Sequence, residues 1–245
     1  VAESPEISTP EPLAASTPWP TTAEVRAGAT AMVLLLAAIC LAACATDDAA
    51  QRFPLSYSGP AEQMITVVAD RHGASTATFS TWDRTEGRWQ LAHGPISAHV
   101  GEAGIGSATE GSTRTPAGIW PLTEAFGNET IDSVRLPYRR LDSWDWWVSD
   151  TASASYNTHY RCTPGTCPFD ERAGENLTAA GPAYDNAVVI DYNRSPAVPG
   201  AGSAFFLHNS SGGPTAGCVA IPASDLRTVL RWLDPARHPA IALVE

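Results

Sequence analysis

Phe205-Phe206-Leu207-His208-Asn209-Ser210-Ser211-Gly212-Gly213-Pro214-Thr215-Ala216-Gly217-Cys218-Val219-Ala220-Ile221-Pro222 is the stretch on which the reading of this chain turns. An apolar run ends in a histidine, a loop of small residues follows, and a second apolar run opens with a cysteine ten positions after that histidine. The pattern predicts two neighbouring strands whose ends bring an imidazole to a thiol. A thiol attacks carbonyls as the thiolate, and a free cysteine of pKa ~8.5 is only ~3% ionised at pH 7. An imidazole within hydrogen-bond reach that becomes imidazolium can lower that value to roughly 6, a change worth about 3.4 kcal/mol. Gly217, just before the cysteine, permits a turn that brings main-chain N–H groups close to a substrate, as a tetrahedral oxyanion needs. Taken singly, Cys218 reads as a small buried residue and His208 as a satisfied core histidine; taken together they read as nucleophile and base.

His208, the glycine-rich loop, Thr215-Ala216-Gly217-Cys218 and Val219-Ala220-Ile221 resemble the active-site signature of the L,D-transpeptidases of the YkuD type, cysteine enzymes that cross-link bacterial peptidoglycan. About ninety residues upstream, Gly111-Ser112-Thr113-Arg114-Thr115-Pro116-Ala117-Gly118-Ile119-Trp120-Pro121-Leu122 resembles a second element of that family. Ala216 stands where the family usually has histidine, Thr215 where serine is usual, and Ala220 where a polar residue is usual; the loop from His208 to Cys218 is also short. The resemblance implies a mostly β, L,D-transpeptidase-like β-sandwich with one helix after the nucleophile strand and long irregular loops. It further implies a thioester acyl-enzyme on Cys218, His208 as base, the main-chain carbonyl of Asn209 orienting the imidazole, main-chain N–H groups around Ala216, Gly217 and Cys218 holding the oxyanion, and no metal or organic cofactor. Tyr192 and Thr215 are expected to face the substrate, a peptidoglycan stem peptide. An L,D-carboxypeptidase on the same scaffold, or a wall-binding lipoprotein without activity, stays open beside the transpeptidase.

Outward from this stretch, Pro222-Ala223-Ser224-Asp225 predicts a helix start with Ser224 as cap, and Leu226, Val229, Leu230 and Leu233 its apolar stripe. Ala240–Val244 predicts a closing strand, and residues 185–193 a buried strand with 203–208 beside it. Met64–Ala69, Thr76–Asp83, Arg88–Ala92 and Gly94–Gly101 predict further strands. The aromatic middle (Trp144, Trp146, Trp147, Tyr156, Tyr160) reads as core packing. Division of the chain is expected at 61–94, N-terminal strands packed on a catalytic domain, and 95–245, the catalytic domain.

Residues 1–25 carry five prolines among Ser, Thr and Glu and are expected to be disordered or a mis-assigned start. Residues 26–43 have the length of a signal-peptide core, too short for a comfortable bilayer span. Leu41-Ala42-Ala43-Cys44 resembles a lipobox, which implies lipidation of Cys44, a linker at 44–60, and an extracytoplasmic protein anchored to the outer face of the bacterial cytoplasmic membrane. Cys162-Thr163-Pro164-Gly165-Thr166-Cys167 suits a small disulfide loop in an oxidising compartment. Cys218 is then left over, a candidate for reactivity. Zinc on Cys162, Cys167 and His159 would need a second ligand pair that the spacing lacks. The chain of 245 residues is 44% apolar and carries a net charge of −11, so it can bury a substantial core. No basic run appears, which argues against nucleic acid as partner. A monomer is expected.

Overall fold

The β-branched run Met64-Ile65-Thr66-Val67-Val68 forms the middle of the sheet, and both of its faces are covered by other elements. The computed structural model describes residues 52–245. In chain order the elements are β1 (Gln63–Ala69), β2 (Thr76–Thr85), β3 (Arg88–His99), β4 (Ile105–Gly106), β5 (Thr115–Pro116), β6 (Gly118–Gly127) and β7 (Tyr138–Arg140). There follow β8 (Asp145–Trp147), β9 (His159–Arg161), β10 (Glu175–Asn176), a 3-10 segment (Leu177–Tyr184), β11 (Ala187–Ile190), β12 (Phe206–Asn209), β13 (Val219–Ile221), α1 (Ala223–Trp232), a short 3-10 turn (Pro235–Arg237) and β14 (Ala240–Val244). Residues 1–43, expected to hold the disordered start and the signal peptide, and Cys44, the expected lipidation site, lie outside the described residues.

The fold is mostly β, as the sequence implies. Its facing layers are parts of one nine-stranded sheet, in the order β11-β12-β13-β3-β2-β1-β14-β6-β7, that closes on itself because β11 also pairs with β6. Long strands make the back of this circuit: β2 pairs with β1 and β3 over most of its length. The join between β13 and β3 rests on the single pair Ala220↔His99, so the ladder is thinnest beside Cys218. β3 runs unbroken from Arg88 to His99, merging two expected strands and crossing the expected division at 94/95. That division therefore has no counterpart: β1, β2 and β3 belong to the same sheet as the site.

Leu226, Val229, Leu230 and Leu233 are buried in the main core, as their spacing predicts. Ser224 is not the cap. Pro222 occupies that position without a side-chain hydrogen bond, and the Ser224 carbonyl instead accepts the Thr228 hydroxyl at 3.1 Å. Proline presets φ for helix entry, so the helix begins before Ser224 can cap it. Burying each apolar side chain is worth about 1.5–3 kcal/mol, against about 1 kcal/mol for a cap, so packing holds this helix.

A small sheet, β10-β8-β9, is built from the aromatic middle. Trp146, Trp147 and Tyr156 are buried, whereas Trp144 is 51% exposed with the Arg161 guanidinium over its ring. Asp145, fully buried, accepts from His159 Nε2 and from Arg161, each at 2.7 Å. Cys162 and Cys167 are joined in a disulfide, and the Glu171 carboxylate accepts the Gly165 N–H at 2.8 Å and the Cys167 N–H at 3.0 Å.

Candidate active site

β12 and β13 run parallel with Leu207 opposite Val219 and His208 opposite Ala220. Leu207 and Val219 point into the main core. Alternation along a strand therefore places Phe206, His208, Cys218 and Ala220 together on the other face. His208 Nδ1 lies 2.9 Å from the Asn209 carbonyl. A carbonyl only accepts, so Nδ1 carries the proton and Nε2 is left with its lone pair, the tautomer a base requires.

The thiol has its own partners. Phe206 N–H donates to Sγ at 3.3 Å, and Sγ–H points to the Ala204 carbonyl at 3.4 Å. Among the described residues, no hydrogen bond joins the His208 ring to Sγ. Burial, and then the negative charge of Glu175, push the Cys218 thiol up to about 12, against the smaller downward pull of the Phe206 N–H and the Tyr184 hydroxyl. Burial pushes His208 below the ordinary imidazole value, partly offset by the Asn209 carbonyl. The resting pair is thus a neutral thiol and a neutral imidazole. This corrects the expectation of a thiolate held at a value near 6: desolvation of a charged sulfur outweighs the neighbouring ring.

The loop before the nucleophile is braced by two threonines. Thr215 Oγ1 donates to the Cys218 carbonyl at 2.6 Å and accepts the Gly217 N–H at 3.1 Å. Thr115, from the upstream element, donates to the same carbonyl at 3.3 Å, so the two resembling stretches meet here. Gly217 has φ +143°, and a Cβ there would lie 2.8 Å from Phe205 Cε1 and 3.1 Å from the Arg114 carbonyl. Only glycine fits.

Cys218, Gly217 and Ala216 line a cavity of about 360 Å³, together with Glu110, Glu175 and Tyr184. A larger cavity of about 650 Å³, edged by Trp120 and His238, does not include the thiol. The other expected site residues fall differently. The Gly217 N–H is engaged by Thr215, so of the three expected oxyanion donors it is already committed. Thr215 turns its hydroxyl inward and lines an adjoining cleft rather than the thiol cavity. Tyr192 is not at the cavity: its hydroxyl donates to the Ala201 carbonyl at 2.8 Å and its ring packs on Trp120 and Phe205.

Two groups that sequence reasoning passed over stand beside the sulfur. The Tyr184 ring meets the His208 ring edge-on, with centroids 5.5 Å apart, and its hydroxyl donates to Glu175 Oε1 at 3.0 Å. Burial raises Glu175 above the usual carboxylate range and raises Tyr184 well above the usual phenol. His99 shares the sheet face without lining the cavity: its pairing with Ala220 puts it on the His208 side, with Nδ1 buried and unpartnered. Only an unbonded histidine at a predicted strand end could have signalled it; Glu175 and Tyr184 lie in segments without periodicity.

No curated protein and no solved structure matches the chain. The family model of the L,D-transpeptidase catalytic domain, YkuD, matches residues 66–241. The span takes in β1–β3 and the strands bearing His208 and Cys218, and with most of the chain so matched, the protein belongs to the L,D-transpeptidase catalytic domain family.

Proposed function

We propose that the protein is an L,D-transpeptidase that forms peptidoglycan cross-links through a cysteine thioester. The observation that carries this reading is the free thiol of Cys218 opening on a cavity, on the same sheet face as an imidazole whose Nε2 is left as acceptor. Sγ leaves the Ala204 carbonyl, gives its proton to His208 Nε2 and attacks the carbonyl of a diamino-acid residue in a donor stem peptide. The N–H groups of Ala216 and Cys218 receive the oxyanion, and the terminal D-amino acid departs with the proton from His208. An acceptor amine of a neighbouring stem then attacks the thioester and frees the thiol. Asn209 serves through its carbonyl, holding the tautomer.

The disulfide between Cys162 and Cys167 suits an oxidising compartment, and with the lipobox-like Leu41–Cys44 it supports an exported protein tethered by lipid to the outer face of the cytoplasmic membrane. Purified protein supplied with tetrapeptide stems, with and without an acceptor amine, tests the reaction by mass spectrometry. Cross-linked dimer supports the transpeptidase. Trimmed monomer alone establishes a carboxypeptidase instead, and no Cys218 adduct with a carbapenem in folded protein removes the catalytic reading altogether.

A further inference from the structure

Glu175 and Tyr184 reach the thiol from outside the family signature. The 3-10 segment that carries Tyr184 is pinned by Asn209 Nδ2 on the Pro182 carbonyl at 3.1 Å and by Asn128 Nδ2 on the Gly181 carbonyl at 3.0 Å. Its last residue is packed against Phe206 at 5.6 Å and against His208 at 5.5 Å, in the cluster that also receives Cys218. Tyr184 thereby lies against the base and in the cluster that the nucleophile joins. Its hydroxyl has one proton and two candidate acceptors, the Glu175 carboxylate that holds it at 3.0 Å and the sulfur that lines the same cavity.

Resting on the proposed thioester chemistry, we infer that Tyr184 is a further catalytic residue, a hydroxyl that turns its proton to Sγ as the thiol ionises, and that Glu175 is the positioning residue that opposes this turn. While Glu175 holds the Tyr184 proton, that proton is committed away from the sulfur and the thiol stays neutral. When the thiol proton leaves for His208 Nε2, Tyr184 O–H swings to the sulfur; one S–H bond breaks, one N–H bond forms, and the phenol keeps its proton. The titratable groups that line the Cys218 cavity or share its sheet face are Glu175 from β10, Tyr184 from the 3-10 segment, His208 from β12, His99 from β3 and Glu110, which accepts from the Tyr156 hydroxyl and, at 2.9 Å, from Ser203. Of these only Tyr184 is hydrogen-bonded to one cavity carboxylate while lying against both His208 and the thiol's cluster.

The test follows the reaction of the full-length protein with a small neutral disulfide across pH 6 to 10, read at Cys218 by peptide mass. Glu175→Gln removes the charge but keeps an amide oxygen able to hold the Tyr184 proton; Glu175→Met removes both at similar volume. Both variants are expected to react faster than the parent at pH 7.5. E175M should exceed E175Q by about three- to fourfold, the tenfold gain in thiolate from one further pKa unit less the nucleophilicity lost with it. Adding Tyr184→Phe should erase the difference between them. Equal rates for E175M and E175Q, or a difference that persists with Y184F, overturn the inference. Should E175M fail to fold, Glu175→Leu replaces it under the same criteria. Thiol reaction needs no peptide substrate, so this outcome is separate from that of the transpeptidase assay.

Discussion

A thiol pushed up to about 12 should be a sluggish nucleophile in the absence of substrate, and the deficit can be worked out. At pH 7 such a group is ionised to about one part in 10⁵, against ~3% for a free cysteine, roughly 3,000-fold less. Intrinsic nucleophilicity rises with basicity by a Brønsted factor of about 0.4–0.5 per unit, which over roughly 3.5 units returns about 25- to 60-fold. Cys218 should therefore react with a small neutral disulfide about 100-fold more slowly than free cysteine at pH 7. Because the pKa is raised, the rate should climb close to tenfold per pH unit through pH 9 and beyond, where free cysteine levels off. Stopped-flow mixing at a series of pH values, with the modified peptide identified by mass, gives both quantities. A plateau below pH 8 would refute the reasoning, since it requires a thiolate–imidazolium pair already formed at rest.

His208→Ala should lower acyl transfer by about 10²–10⁴ while leaving unfolding in urea within about 1–2 kcal/mol of the parent. Since burial depresses the His208 pKa, transfer should lose its base only when pH falls below the usual imidazole range, so the acid limb of the profile should lie under pH 6.5; a limb above 7 contradicts the burial argument. Gly217→Ala should cost about 2–4 kcal/mol, from left-handed strain and the clash with Phe205 and Arg114, measured by the urea midpoint; a cost under 0.5 kcal/mol would sink the assignment. Asp145→Asn should destabilise by about 3–5 kcal/mol, because it leaves Arg161 and His159 without their buried carboxylate.

Much of the main sheet was legible because its residues carry period-two patterns or unbroken apolar runs: β1, β2, β11 and β14 fall where Val, Ile, Thr and Phe cluster. The helix stripe was equally plain. The closure of the sheet was not, since β6 contains Pro121 and pairs with β11 across a register shift that no local pattern encodes. At the site, His208 and Cys218 announce themselves by residue type at a loop between apolar runs. Their relative ionisation did not, because it depends on how much water the Tyr184 and Trp147 cover removes and on a carboxylate forty-three positions upstream, on a strand two residues long. Tyr192 was misplaced for a related reason: its hydroxyl is consumed by the loop carbonyls of Ala108 and Ala201, and contacts between loops leave no periodic trace.

A sheet whose ladder returns to its starting strand also governs how copies of the molecule meet. Among the described residues the circuit leaves two free margins: the outer side of β3, where only His99 pairs with β13, and β7, three residues long with Arg139 and Arg140 exposed. At β7 a second copy meets a short cationic stub, where like charges repel, so strand-to-strand addition would have to use the longer side of β3, which Gly94 and Pro95 interrupt.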